Sequence, residues 1–141
     1  MSYAVQADMI SAFGEAEMIR VTDRANLGVL DATVLQQALD DATAEADSYI
    51  PIAPTTPNRA LVRHTAAIAR FLLHKDAASN EIRERYTDAI AWLKLASLGR
   101  VTYGTLPAVP AGSATQGIPQ SQSLTLSHEQ YEVPRTGGFV W

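Results

Sequence analysis

The sequence predicts an all-α fold: a small helical bundle of three main helices and two short N-terminal ones, with an extended C-terminal arm. Three observations carry this. Apolar residues recur at steps of three and four through residues 1–99. Each recurrent stretch is bounded by a capping residue, a proline or a glycine. From residue 100 the composition changes, with only Arg100, Glu129, Glu132 and Arg135 charged among glycine, proline, serine, threonine and glutamine. The chain therefore divides into a helical domain, 1–99, and a sparsely charged arm, 100–141.

Val5, Met9, Ile10 and Phe13 fall at helical spacing and predict a short helix ending near Gly14. "EAEMIRVT" predicts a second, its two leading acids suited to the positive end of a helix. Asp31 is placed to cap the next helix, because its carboxylate can accept from an otherwise orphan amide. Leu35, Leu39, Ala42, Ala46 and Tyr49 then form one apolar stripe, stopped by Pro51. "PIAPTTPN", with three prolines, predicts a rigid, extended connection. Pro57 or Asn58 opens a helix to about Lys75 whose apolar face (Leu61, Val62, Thr65, Ile68, Ala69, Leu72, Leu73) is broad enough for the centre of a core. After the turn "DAASN", Ser79 or Asn80 caps a last helix lined by Ile82, Tyr86, Ala89, Ile90 and Leu93, which Gly99 ends.

The arm has too little apolar surface to repay its ordering entropy alone. "SLTLS" alternates as a strand does and would need a partner or a second copy. Tyr131 and the terminal Phe139, Val140 and Trp141, set behind Gly137-Gly138, are candidate anchors that either dock on a partner or pack on the chain's own helices.

Composition excludes several classes. The chain has 141 residues, a net charge of −4 and no cysteine. Disulfides, thiolate metal sites and cysteine nucleophiles are therefore absent, and tight nucleic-acid binding lacks the clustered basic surface it needs. No stretch is long and apolar enough to cross a bilayer. "MSYAVQADMI" lacks the basic start and apolar run of a signal peptide, so a soluble protein made in the cytoplasm is expected.

"TDRANLGVLD" looks at first like a calcium loop, since Asp23, Gly28 and Asp31 fall at its first, sixth and ninth positions. Ala25, Leu27 and Val34 occupy positions where oxygen ligands are required. The stretch is read as a connection in which Gly28 permits the turn, Val29 and Leu30 tuck into the bundle, and Asp31 caps. His64 and His74 lie on one helix, about 80° apart rather than stacked for a metal; His128 is in the arm. No nucleophile elbow, phosphate loop or converging carboxylate pair is present. No cofactor, metal or catalytic residue is expected.

The charge pattern is the feature with functional content. Asp31, Asp40, Asp41, Glu45 and Asp47 crowd residues 31–50 without a base, while residues 58–75 hold Arg59, Arg63, Arg70 and Lys75 without an acid. Arg59, Arg63 and Arg70 fall within about 40° of one another on the helix. Two readings follow. Neighbouring helices of one chain can pair weakly in solvent, or the acidic face of one subunit can meet the basic face of the next in a heterologous ring.

In order along the chain, "YAVQADMISAFGEAEMIRVTDR", "GVLDATVLQQALDDATAEADSYI", "RHTAAIARFLLH" and "IRERYTDAIAWLKLASLGRV" resemble the Mu-like phage head–tail connector (adaptor) family, over about residues 3–104. The resemblance implies a virion structural protein at the head–tail interface. It would form a homo-oligomeric ring, commonly of twelve subunits, beneath the portal protein and against tail or neck proteins. DNA would pass through without specific binding, and no membrane would be involved. Such adaptors also reach onto neighbours with extended arms, a use for Phe139–Trp141. Relatives often carry a more acidic form of the 22–31 loop, and Ala25 and Leu27 depart from it here. A different class, a small assembly chaperone or regulatory module absent from the finished particle, fits the same features.

Overall fold

The structure is a computed structural model in which residues 1–108 are described. It is all-α, as the sequence predicts, with five helices: α1 Gln6–Phe13, α2 Glu15–Thr22, α3 Ala32–Asp47, α4 Arg59–His74 and α5 Asn80–Ser97. α4 is the central element, packed against α3 on one side and α5 on another, with α1 and α2 also laid against it. The reason is its composition. Leu61, Thr65, Ala66, Ile68 and Ala69 are all buried, and the small alanines let neighbouring helices approach closely. α3 answers with Leu35, Ala38, Leu39, Ala42 and Ala46, α5 with Ala89, Leu93 and Ala96, and α1 and α2 with Met9 and Met18.

The helix ends follow their caps. The Asp31 carboxylate accepts from the Thr33 and Val34 amides, Asn58 accepts from Leu61, and Ser79 from Ile82. Asp8 reaches back to accept from the Val5 amide at 2.9 Å, tightening the first turn of α1. α3 ends at Asp47, short of the Pro51 stop the sequence suggested. Ser48 already spends its hydroxyl on the Glu45 carbonyl, and the Tyr49 and Ile50 amides both turn back to the Ala46 carbonyl.

The 48–58 connection is more than a stiff linker. It carries β1, Thr56–Pro57, which pairs antiparallel with β2, Gly104–Thr105, the two-residue strand that follows α5. Asn58 holds this return from both sides. Its amide donates to the Tyr103 carbonyl and its side chain to the Thr102 carbonyl, at 3.0 and 2.7 Å. Tyr103 is buried as a result. The compact unit consequently spans Met1–Pro107, eight residues past the Gly99 division drawn from composition. The expected SLTLS strand lies outside the described residues.

Candidate assembly interface

α3 turns its alanine and leucine stripe inward and so presents its acids on the opposite face. Each is held by an uncharged donor. Asp40 accepts from the Ser2 hydroxyl at 2.5 Å and from Gln36 at 2.9 Å, bonds that hold its carboxyl below the usual range. Asp41 accepts from Gln37 at 2.9 Å, one helical turn back. Glu45 takes the Tyr86 hydroxyl at 2.6 Å, a bond that pushes the phenol up to about 12, and Asp47 takes the Tyr3 hydroxyl. Burial, then the bond to Asp47, raises Tyr3 as well. Neutral donors orient these carboxylates, and no basic side chain among the described residues forms an ion pair with them.

The basic helix is divided. Arg59 and Arg63 are exposed on α4. Arg70, expected on the same stripe, is turned inward to Glu17 of α2, with Nε 2.6 Å and Nη2 3.0 Å from the two carboxylate oxygens. Its guanidinium also lies 4.6 Å from the centre of the Phe13 ring. His74 places Nε2 3.0 Å from the same Glu17 carboxylate. Burial opposes the charge on Glu17, but the bonds from Arg70 and His74 outweigh it and the carboxyl sits below its ordinary value. Arg70 thus fastens α2 to α4 within one chain. Among the described residues no acid of α3 forms an ion pair with a base of α4.

The 22–31 loop is closed on itself. The buried Thr22 hydroxyl donates to the Met18 carbonyl and accepts the Asp31 amide, drawing the loop ends together. Asp23 accepts from the Leu27 and Gly28 amides at 2.9 and 2.6 Å, which lower its carboxyl pKa, and Gly28 takes a φ of 76°. The carboxylate that would have opened a calcium loop is engaged by the loop's own backbone. The expected inward tuck of Val29 is corrected: Leu27 is 73% and Val29 58% exposed, and only Leu30 packs against the core. Asp23 fixes the backbone at the loop tip through the Leu27 and Gly28 amides.

Between α1, α4 and α5 lies a cleft of about 300 Å³, with Phe13, Arg63, His64, Arg85 and Asp88 among its walls. His64 stacks on Trp92 with ring centres 4.6 Å apart. Burial, then the neighbouring Arg63, lowers its pKa, with Asp88 opposing. Its Nε2 is buried without a hydrogen-bond partner among the described residues. No group of three histidine, aspartate or glutamate side chains among those residues is placed to hold a metal. None of the helices there is long and apolar enough to cross a membrane. The anchors Tyr131, Phe139, Val140 and Trp141 lie outside the described residues. The partnerships of Glu17, Tyr3 and Tyr86 had no local signal, since each joins residues more than 40 positions apart.

Fold and surface together define a small all-α protein built to present charged helix faces and one braced apolar loop. Residues 3–122 match the family described as bacteriophage Mu, Gp36, and the chain belongs to that family. It is 34% identical over 79 residues to the Mu-like prophage FluMu protein gp36 of Haemophilus influenzae, covering 53% of this chain and 56% of that one. It is 27% identical over 128 residues to gene product J of Escherichia phage Mu, covering 87% and 91%. The chain thus spans just over half of the first relative and nearly all of the second.

Proposed function

We propose that this phage protein is a head–tail connector subunit that assembles into a ring beneath the portal and extends the DNA channel towards the tail. Twelve copies would match the ring size common among adaptors it resembles. The observation that carries the reading is charge without ion-pair partners among the described residues: four acids of α3 held by neutral donors, with Arg59 and Arg63 unpaired by them. Membership of a bacteriophage Mu family supports a role in phage biology. A surface that keeps opposite charges on different helices suits heterologous contact, in which different patches meet and rotation closes the ring.

The mechanism is binding and geometry. Helices form the ring wall, the braced loop offers apolar contact, and Phe139, Val140 and Trp141 order against the portal or a neighbour on assembly. DNA passes without being gripped, since the chain carries more acid than base. A symmetry-resolved image of the purified particle's neck is expected to show this chain as a ring next to the portal. A neck without it would overturn the connector reading in favour of an assembly chaperone that leaves before maturation. Tight DNA binding at physiological salt would also count against it.

A further inference from the structure

We propose, resting on the ring reading above, that the cleft between α1, α4 and α5 receives a carboxylate from the acidic α3 face of a second copy, with Arg63 as its ion-pair partner. Arg63 is exposed at the rim of that cleft and has no ion-pair partner among the described residues. Arg85, across the cleft, is joined to Glu81 at 3.0 Å in a pair more than half exposed on both sides, which solvent screens and an incoming acid can replace. The volume of about 300 Å³ is roughly that of ten waters, enough for one acidic side chain and too little for a helix.

The rest of the cleft narrows the choice. Asp88 stands on its α5 wall and repels an incoming acid, which favours approach from the Arg63 side on α4. Phe13 and Ala67 supply apolar walls for the methylenes of the incoming chain. No residue of α3 lines the cleft, so donor and receptor belong to separate patches of one molecule. Used head to tail, such a contact repeats from copy to copy around a ring. Asp40 and Asp41 are the acids to offer, being exposed and bonded only to neutral side chains.

Two full-length variants with complementary defects test this. The first, Asp40→Asn with Asp41→Asn, keeps the cleft; it is isotope-labelled. The second, Arg63→Glu, keeps the acidic face and is added unlabelled at rising concentration. Nuclear magnetic resonance is expected to show shifts confined to the α1/α4/α5 cleft, the His64 ring included, and these should fade as salt is raised. Labelling a chain that carries all three substitutions should weaken the association about tenfold. Arg63→Gln repeats the comparison with a gentler change, and the thermal melt of each variant shows that it is folded.

The His64 ring gives a readout that packing alone would not move. Arg63 from α4 and Arg85 and Asp88 from α5 face it, while α1 contributes only Ala12 and Phe13. A docked carboxylate favours the protonated ring, so association should raise the His64 titration midpoint. Shifts on another surface, shifts unchanged by the loss of Arg63, or no shifts at near-millimolar concentration would each overturn the proposal. A ring in the particle built through other faces would sink this contact alone, whereas a neck lacking the chain would sink the connector reading and leave the contact measurable in solution.

Discussion

The two connections flanking α3 differ in how much of their apolar surface they bury. The 48–58 connection turns Ile50 and Pro54 inward and is fastened by a strand that returns from beyond α5, through Thr55, Thr56 and Asn58. The 22–31 loop is fastened just as firmly, by Thr22 and Asp23, yet holds Leu27 and Val29 out in water. Both are tied by hydrogen bonds, but Ile52 of the first stands 47% exposed and Leu30 of the second packs inward, so the contrast lies in Ile50 and Pro54 against Leu27 and Val29. Inward apolar groups stabilise the fold, whereas outward ones cost solubility unless something covers them. Whether anything covers the outward leucine and valine is a question for variants of these two residues.

Two glycines give the comparison its largest measurable contrast. At Gly104, with φ of 153°, an added Cβ would meet the Thr56 carbonyl oxygen of the strand pair and come within 2.8 Å of Pro54 Cβ, just before β1. Gly104→Ala is expected to cost about 3 kcal/mol, from backbone strain and displacement of β1. At Gly28, with φ of 76°, nothing lies within 4 Å of the added atom. Gly28→Ala should then cost only about 1 kcal/mol, the left-handed penalty alone. Denaturant melts of the two variants measure this, and equal losses would mean that the clash at Gly104 is relieved and adds nothing to the backbone strain.

Next in size is the cap where the outward loop meets the fold. Asp31→Ala removes the acceptor of two amides and is expected to cost about 1 kcal/mol in the same melts, without calcium dependence. Stability that rose sharply with added calcium would restore the metal reading of the loop.

These elements also show what the sequence could reveal. Spans and caps were legible because their signals are local: α2 coincides with EAEMIRVT, and Asp31, Asn58 and Ser79 cap helices where the apolar periodicity begins. The β1–β2 return was not, because strands of two residues carry no alternation and their register is set by chain some 50 residues away. The same holds for Arg70. Its position on the helical wheel matched Arg59 and Arg63, but periodicity gives an angle and not a partner, and Glu17 turned it inward. Val29 looked like core because it is apolar, but it lies in a loop, where periodicity does not say which way a side chain points.

A smaller effect isolates the brace itself. Asp23 is held below its ordinary value of 3.8 by the Leu27 and Gly28 amides, so its contribution is present above that pH and is lost as pH falls through the lowered value. On acidification the amide resonances of Leu27 and Gly28 are expected to move together, with a midpoint below 3.8. Asp23→Asn should abolish the transition. A midpoint at the ordinary value would mean that the loop is not braced and that its tip samples many conformations.

The smallest effect on stability should come from the residues that matter most to the comparison. Leu27→Ser with Val29→Ser removes apolar surface that is already in water, so the melt should change by no more than about 0.5 kcal/mol. If the tip faces solvent throughout the life of the protein, nothing else should change, and solubility should improve. If it is covered on assembly, the double variant should fold normally and yet enter particles poorly, because burying such side chains is worth about 1.5–3 kcal/mol each. Particles grown with the variant and probed for this chain separate the two outcomes. Normal incorporation would mean that assembly does not depend on covering the tip, and the difference between the two connections would then be one of packing alone.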